Sequence, residues 1–315
     1  MFSIIIIQIV KMLLLLFTGV LCFRLKLIDE HTNKGLANLL MMVVNPIVAI
    51  TALQTDYRSD LITRLLLSYL LAVITHLFMI PVSGFFIRDK ENKNCAIERF
   101  SAMYSNCGFI GIPLVQSILG NEGVLYLTAY MTVFNLFSWT HGISLMKDKG
   151  SVQHNHNLTE SAKALLKNLM TPMIVASLIG LVLFALQIRF PSVLADTLDY
   201  IGNMNTPLAM IVAGVSVAQT SLPAMIRNKR IYLVSFVKLI IMPSILFVIL
   251  LFLQINSTVA CTILVAAACP CAASGTTFAL RFRKNYSYAS ELYAFTTICS
   301  LITVPAFVYA AERLL

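Results

Sequence analysis

Residues Ser105–Gln116 read SNCGFIGIPLVQ, and they sit inside an apolar run long enough to cross a bilayer. Gly108, Gly111 and Pro113 interrupt that run. Pro113 has no amide N–H and its ring opposes the carbonyl four residues back, while the glycines add backbone freedom. In hydrocarbon such a break is tolerated only where protein or water pairs the freed backbone groups. A second stretch, Ala267–Thr277 (AACPCAASGTT), repeats the pattern in the other half of the chain. Two interrupted spans in corresponding positions are the sequence mark of a secondary-transporter binding site.

Working outward, the 315 residues are 58% hydrophobic and only 12% charged. A soluble domain carries about 25% charged residues, so the expected class is an all-α polytopic membrane protein. Ten spans of bilayer length are expected, at 3–23, 35–53, 61–87, 96–119, 123–146, 168–188, 198–219, 231–253, 257–280 and 288–311. The first is read as a retained span and not as a cleaved signal, because it has no small-residue cleavage site and nine more follow. No extramembrane domain is expected. The longest polar connection, 147–167, contains KDKGSVQHNHNLTE and reads as a surface loop. His154 and His156 within it read as a solvated pair. The seven cysteines follow no ligand spacing, and the CPC at 269–271 is not a redox motif, so no metal and no cofactor are expected.

Net charge is +9, but the bases cluster between apolar runs, which points to topology and not to nucleic acid. Seventeen of the 23 Lys and Arg fall in the odd-numbered connections: Arg24, Lys26 and Lys34; Arg88, Lys90, Lys93 and Arg99; Lys147, Lys149, Lys163 and Lys167; Arg227, Lys229 and Arg230; Arg281, Arg283 and Lys284. The even connections carry little beyond Arg58, Arg64 and Arg189. Basic loops stay cytoplasmic, so both termini are expected outside.

Five spans precede the 147–167 loop and five follow it, so the second half enters from the opposite side. The punctuation recurs. Asn45–Pro46 answers Thr206–Pro207, Pro81 answers Pro243, and Pro113 answers Pro270, at offsets of 161, 162 and 157 residues. The expected plan is two inverted five-helix repeats, 1–146 and 168–315, joined by a cytoplasmic linker.

A broken helix offers the positive end of its second half to an anion. Around the first break the candidates are Ser105, Asn106, Gly108, Gly111, Pro113 and Gln116. Around the second they are Pro270, Ser274, Gly275, Thr276 and Thr277. The plainer reading is that the hydroxyls bond their own helix and the glycines permit close packing. Lys238 lies seven residues into its span, about 10 Å along the helix. An ionisable group there needs water, a partner or a route to the interface. It reads either as an anion-attracting group on the substrate path or as a snorkelling side chain, and Lys11 as a snorkelling one. His76 is a candidate proton-handling group, with a neutral interior histidine as the alternative. No carboxylate sits clearly in mid-span. Glu291 lies near the start of the last one, set against the basic loop at 281–284. Asn45, Asn135, Asn205 and Gln219 either join helices or line the route, and Trp139 suits an interface or packing.

NPIVAITAL (45–53), NCGFIGIPLV (106–115), YLTAYMTVFNLFSWTHG (126–142), NTPLAMIVAGVSVA (205–218), AACPCAASGTTFALRF (267–282) and TTICSLITVP (296–305) resemble the auxin efflux carrier family. The likeness is strongest to its bacterial malate or malonate permease-like branch. The resemblance covers nearly the whole chain. It implies the fold of the bile acid–sodium symporters, with spans 1, 2, 6 and 7 as scaffold and spans 3–5 and 8–10 as transport domain. Broken helices four and nine would cross at Asn106–Pro113 and Ala268–Gly275, facing a scaffold wall holding Asn45–Pro46 and Thr206–Pro207. An elevator-like movement, a bacterial inner-membrane location and a homodimer through the scaffold domain are implied as well. The sequence departs from the plant carriers, which have an Asn-Pro-type element at both breaks, because here the breaks read GIP and ACP.

The expected function is secondary or facilitative carriage of a small organic anion such as malate, malonate or an aromatic carboxylate, as uniport or coupled to H⁺ or Na⁺. A non-transporting receptor on the same fold is the alternative, although the chain carries no signalling domain. No nucleotide-binding pattern and no convergent catalytic pair is present, which argues against an enzyme or an ATP-driven pump. Membrane lipids are the expected surroundings.

Overall fold

A computed structural model describes residues 2–56, 59–88, 92–147 and 170–314. Arg58, Lys90, Lys149, Lys163, Lys167, the His154/His156 pair and nearly all of the 147–167 connection lie outside the described residues.

The described residues are helical apart from turns and one isolated bridge. In chain order the helices are α1 (Phe2–Arg24), α2 (Glu30–Ala52), α3 (Ser59–Phe86), α4 (Cys95–Met103), α5 (Cys107–Met146), α6 (Pro172–Ala185), α7 (Ser192–Ala218), α8 (Leu222–Arg227), α9 (Lys229–Leu253), α10 (Ser257–Ala268), α11 (Ser274–Arg281) and α12 (Tyr286–Leu314). Seven of these, α1, α2, α3, α5, α7, α9 and α12, are long and apolar enough to cross a membrane, and α6 and α10 are shorter apolar helices. The protein is an all-α polytopic membrane protein. α5 is two helical stretches joined at Gly120, whose φ of +63° and ψ of −156° no helical residue adopts. Glycine takes that conformation without the Cβ clash that other residues suffer.

Prolines shape the helices locally. Pro46, Pro113 and Pro243 each follow a single widened turn of the π type, at Leu40–Val44, Cys107–Gly111 and Val237–Ile241. A proline ring removes one i→i−4 bond and pushes away the carbonyl behind it, so widening the preceding turn relieves the clash. A fourth such turn, Ser138–Gly142, has no proline.

α1 packs on α7 through glycines. A Cβ on Gly214 would sit on the backbone carbonyl of Leu16, and one on Gly19 on that of Ile211. Small residues let two membrane helices approach backbone to backbone, where dispersion replaces the missing hydrophobic force. The other faces of α1 are open: Ile6, Val10, Leu14 and Phe17 are exposed while Met12 and Leu16 are buried. The first half of α7, Ser192–Asn203, buries no residue at all. In water such surface would be unstable, and in lipid it is the natural exterior.

Candidate functional site

α4 ends at Met103 and α5 begins at Cys107; α10 ends at Ala268 and α11 begins at Ser274. The two gaps meet. Ser105 and Cys271 form an antiparallel bridge, the Asn106 N–H donates to the Pro270 carbonyl at 2.7 Å, and the Ala272 N–H donates to the Tyr104 carbonyl at 2.8 Å. These bonds satisfy backbone groups that the helix ends leave without an intrahelical partner. Proline at 270 fits because its role here is to accept.

Side chains reinforce the junction. Ser105 Oγ donates to the Ala267 carbonyl at 3.1 Å, and the Cys271 N–H donates to Thr296 Oγ1 of α12 at 3.2 Å. Lys238 of α9 is fully buried. Its Nζ donates to Ser105 Oγ at 2.5 Å and to the Ala267 carbonyl at 3.1 Å. The lysine therefore does not run to the interface, and it lines neither cavity described next.

A cavity of about 140 Å³ lies against the junction, lined by Asn45, Ser105, Asn106, Gly108, Asn135 and Ser274 among apolar Met41, Met42, Phe109, Met131, Phe134 and Trp139. A larger one, about 600 Å³, has Glu30, Asn33, Lys34, Gln219, Thr276, Thr277, Tyr286 and Ser287 among its lining residues. Met41, Phe109, Trp139, Ala273 and Ser274 belong to both. Ser274 Oγ, Asn33 Oδ1 and Gln219 Nε2 have no hydrogen-bond partner among the described residues. Unmade bonds on buried polar atoms are costly, and they are unusual enough to mark a place where a guest or water belongs. Lys34 at this cavity is paired with Glu30 at 2.7 Å.

The sequence-derived residues thus divide. Asn45, Asn106, Gly108 and Ser274 come together around the small cavity, and Ser274, Thr276 and Thr277 face the large one. Thr276 Oγ1 is already spent on the Ala273 carbonyl at 2.7 Å. Asn205 stands behind the wall, its Nδ2 donating to Asn45 Oδ1 at 2.6 Å. Gly111 and Gly275 are packing positions: a Cβ would press on Cys107 and Cys269 at the first and on Phe100 at the second. Pro113 and Pro270 shape backbone and line neither cavity. Gln116 is exposed and bonds Asn121 at 2.8 Å, away from the junction. His76 is buried with Nδ1 on the Ala72 carbonyl at 2.8 Å, ringed by Tyr130 and Phe137, and it also lines neither cavity.

Met131 and Glu98 escaped the sequence reading, which left Asn135 between helix packing and the route and Trp139 between an interface and packing. Met131, Asn135 and Trp139 recur every four residues and so share one helical face, the signal that joins them on the cavity. Glu98 of α4 is fully buried and holds a cluster: Arg230 Nη2 to Oε2 at 2.5 Å, Arg230 Nε to Oε1 at 3.1 Å, Tyr288 Oη at 2.9 Å and Asn92 Nδ2 at 2.8 Å. Four donors compensate the desolvated carboxylate. Glu291 is also largely buried, with Ser287 Oγ at 3.5 Å.

Spanning helices, a non-helical junction among them and two adjacent cavities beside it accord with a membrane transporter. A family model described as "Membrane transport protein" matches residues 4–308, and the chain belongs to that family, which includes the auxin efflux carriers. It is similar to "Uncharacterized transporter YfdV" of Escherichia coli (strain K12), 21% identical over 252 residues and 79% of each chain. The same protein in Shigella flexneri matches equally. It is also similar to an "Uncharacterized transporter" of Methanothermobacter thermautotrophicus, 26% identical over 306 residues, 94% of this chain and 95% of the other. A transporter assignment accords with a non-catalytic role.

Proposed function

We propose that the chain carries a small organic anion, a mono- or dicarboxylate of the malate or malonate size, by elevator-type alternating access. In this reading the ten spans form two inverted five-helix repeats. α4 with the start of α5 makes the broken fourth span, and α10 with α11 makes the ninth. Spans 1, 2, 6 and 7 are the scaffold, and the other six carry the substrate. The observation that carries the proposal is the union of the two gaps beside a cavity that shares Ser274 and four other lining residues with a larger one.

The anion assignment draws on helix ends. α11 starts at Ser274, whose hydroxyl has no partner among the described residues, and α5 starts beside Asn106. N-terminal amides and such hydroxyls suit a carboxylate. The larger cavity is lined by residues near the basic connections, including Lys34 and Tyr286, so with basic loops in the cytoplasm it opens inward. The termini then lie outside a bacterial inner membrane. The open faces of α1, α6 and α7 meet lipid, or a second copy in a homodimer through the scaffold.

The apolar lining of the small cavity, Phe109, Phe134 and Trp139 with four methionines, favours a second substrate class, an aromatic carboxylate. Uptake of labelled malate, malonate and an aromatic acid into proteoliposomes, under imposed proton and sodium gradients, tests both. Saturable uptake of one class is expected. No uptake of any carboxylate in vesicles that bind and release a control solute would overturn the anion assignment.

A further inference from the structure

The Lys238 ammonium has the surroundings of a bound cation. Its two partners are a backbone carbonyl at the C-terminal end of a membrane helix and a serine hydroxyl in the adjoining gap. Unwound carbonyls and half-helix C-termini are the groups with which broken-helix transporters hold Na⁺. The Ala267 oxygen accepts from both Lys238 and Ser105, so both of its lone pairs are used.

α4 and α10 end at the junction while α5 and α11 begin there, so helix-end charges of about −0.5 and +0.5 offset one another, and the ammonium is held by its two oxygen partners. Among the described residues, no Asp or Glu bonds to Lys238.

Position within the repeat adds a further point. Lys238 stands five residues before Pro243, and His76 stands five residues before Pro81. In the inverted-repeat reading they are counterparts, yet Lys238 hydrogen-bonds to the junction, while His76 packs near Tyr104 and bonds its own helix. The charge is thus a property of one half, placed where the two helix C-termini converge.

We infer that Lys238 is a resident, covalently tethered substitute for a soluble coupling cation, so that the junction is complete without Na⁺. This rests on the proposed broken-helix carrier architecture and deepens it. It makes Lys238 a positioning residue that holds Ser105 and the end of α10 together.

The test uses thermal melting of the full chain in detergent, in choline chloride and in sodium chloride, with ²²Na⁺ binding as a second readout. No carboxylate is involved, so its result is separate from that of the uptake assay. The natural chain should melt within about 1 °C in the two salts and bind no ²²Na⁺. Lys238→Ala should melt at least about 5 °C lower in choline, and sodium or methylammonium chloride should restore half or more of the loss. Ser105→Ala, a smaller change, should melt lower in both salts without a sodium response, since the ammonium remains. The inference is overturned by saturable sodium stabilisation or ²²Na⁺ binding of the natural chain or of Ser105→Ala. It is equally overturned by a Lys238→Ala protein as stable as the natural chain in choline, or one that neither cation restores.

Discussion

Asn205 donates its side-chain amide to the Asn45 carbonyl oxygen across 2.6 Å, joining α7 to α2 over 160 residues of chain. Asn45 in turn faces the small cavity, and its Nδ2 lies where a Cβ on Gly108 would press. A buried bond of this kind contributes about 1 kcal/mol net, and stranding one partner costs about 1–3 kcal/mol. Asn205→Ala should therefore lower stability by about 1–3 kcal/mol. A double-mutant cycle with Asn45→Ala should show coupling above about 0.5 kcal/mol, read from thermal melts in detergent. Additive losses would mean that the pair is a contact without consequence.

The α1–α7 contact predicts a sharp difference among glycines. Gly214→Ala and Gly19→Ala drive a methyl into backbone carbonyls that cannot step aside, whereas Gly35 and Gly84 have nothing within 4 Å of a new Cβ. The first two should cost about 2 kcal/mol or more, in the range of overpacking, and reduce the yield of monodisperse protein. Gly35→Ala should behave as the natural chain does, and equal yields of all variants would contradict the close approach.

Glu98→Gln keeps the shape of the buried side chain but removes its charge from Arg230, Tyr288 and Asn92. Breaking a fully buried ion pair costs about 3–5 kcal/mol. Arg230 is about one-third exposed, so a loss of about 2–3 kcal/mol is expected. Pulse proteolysis of the purified variant should show faster cleavage, and Arg230→Lys, which loses the two-point geometry, should fall in between.

Ala273 lines both cavities, as Phe109 and Trp139 do. Ala273→Phe should close the passage and cut uptake at least tenfold while melting within a few degrees of the natural chain. Uptake at the natural rate would place the route elsewhere.

The proposed orientation is checked by fusion at the C-terminus. Alkaline phosphatase should be active there and green fluorescent protein dark in whole cells, because the first folds only outside and the second only in the cytoplasm. The reverse pattern would mean that the basic connections had been assigned to the wrong side.

The first break was expected at Gly108, Gly111 and Pro113, but these lie inside α5, where a widened turn accommodates Pro113, and the non-helical residues are 104–106. The non-helical residues 269–273 were legible because Pro270 acts locally through its missing donor. Burial of the helices was legible for the same reason, since hydropathy is a property of each residue. Direction was not. Thr277 and Gln116 carry the right groups at the right spacing, yet one lies exposed at the rim and the other bonds Asn121. The destination of Lys238 depended on where α4 and α10 end relative to α9, a relation among three distant segments that no local pattern encodes. Glu98 drew no reading from the sequence, because it lies at the edge of the expected span 96–119 beside Arg99, and only the approach of Arg230 and Tyr288 makes it an interior group.

The paired backbone at Ser105 and Cys271 has an ancestral corollary. Each half of the chain contributes one edge of the patch, and neither half alone can satisfy its own exposed peptide groups. In the proposed inverted-repeat reading, a forerunner with a single five-helix unit would have needed a second molecule inserted upside down in the same bilayer. Severing the present chain within the 147–167 connection and producing the two pieces together should therefore rebuild one working particle, whereas either piece by itself should be degraded.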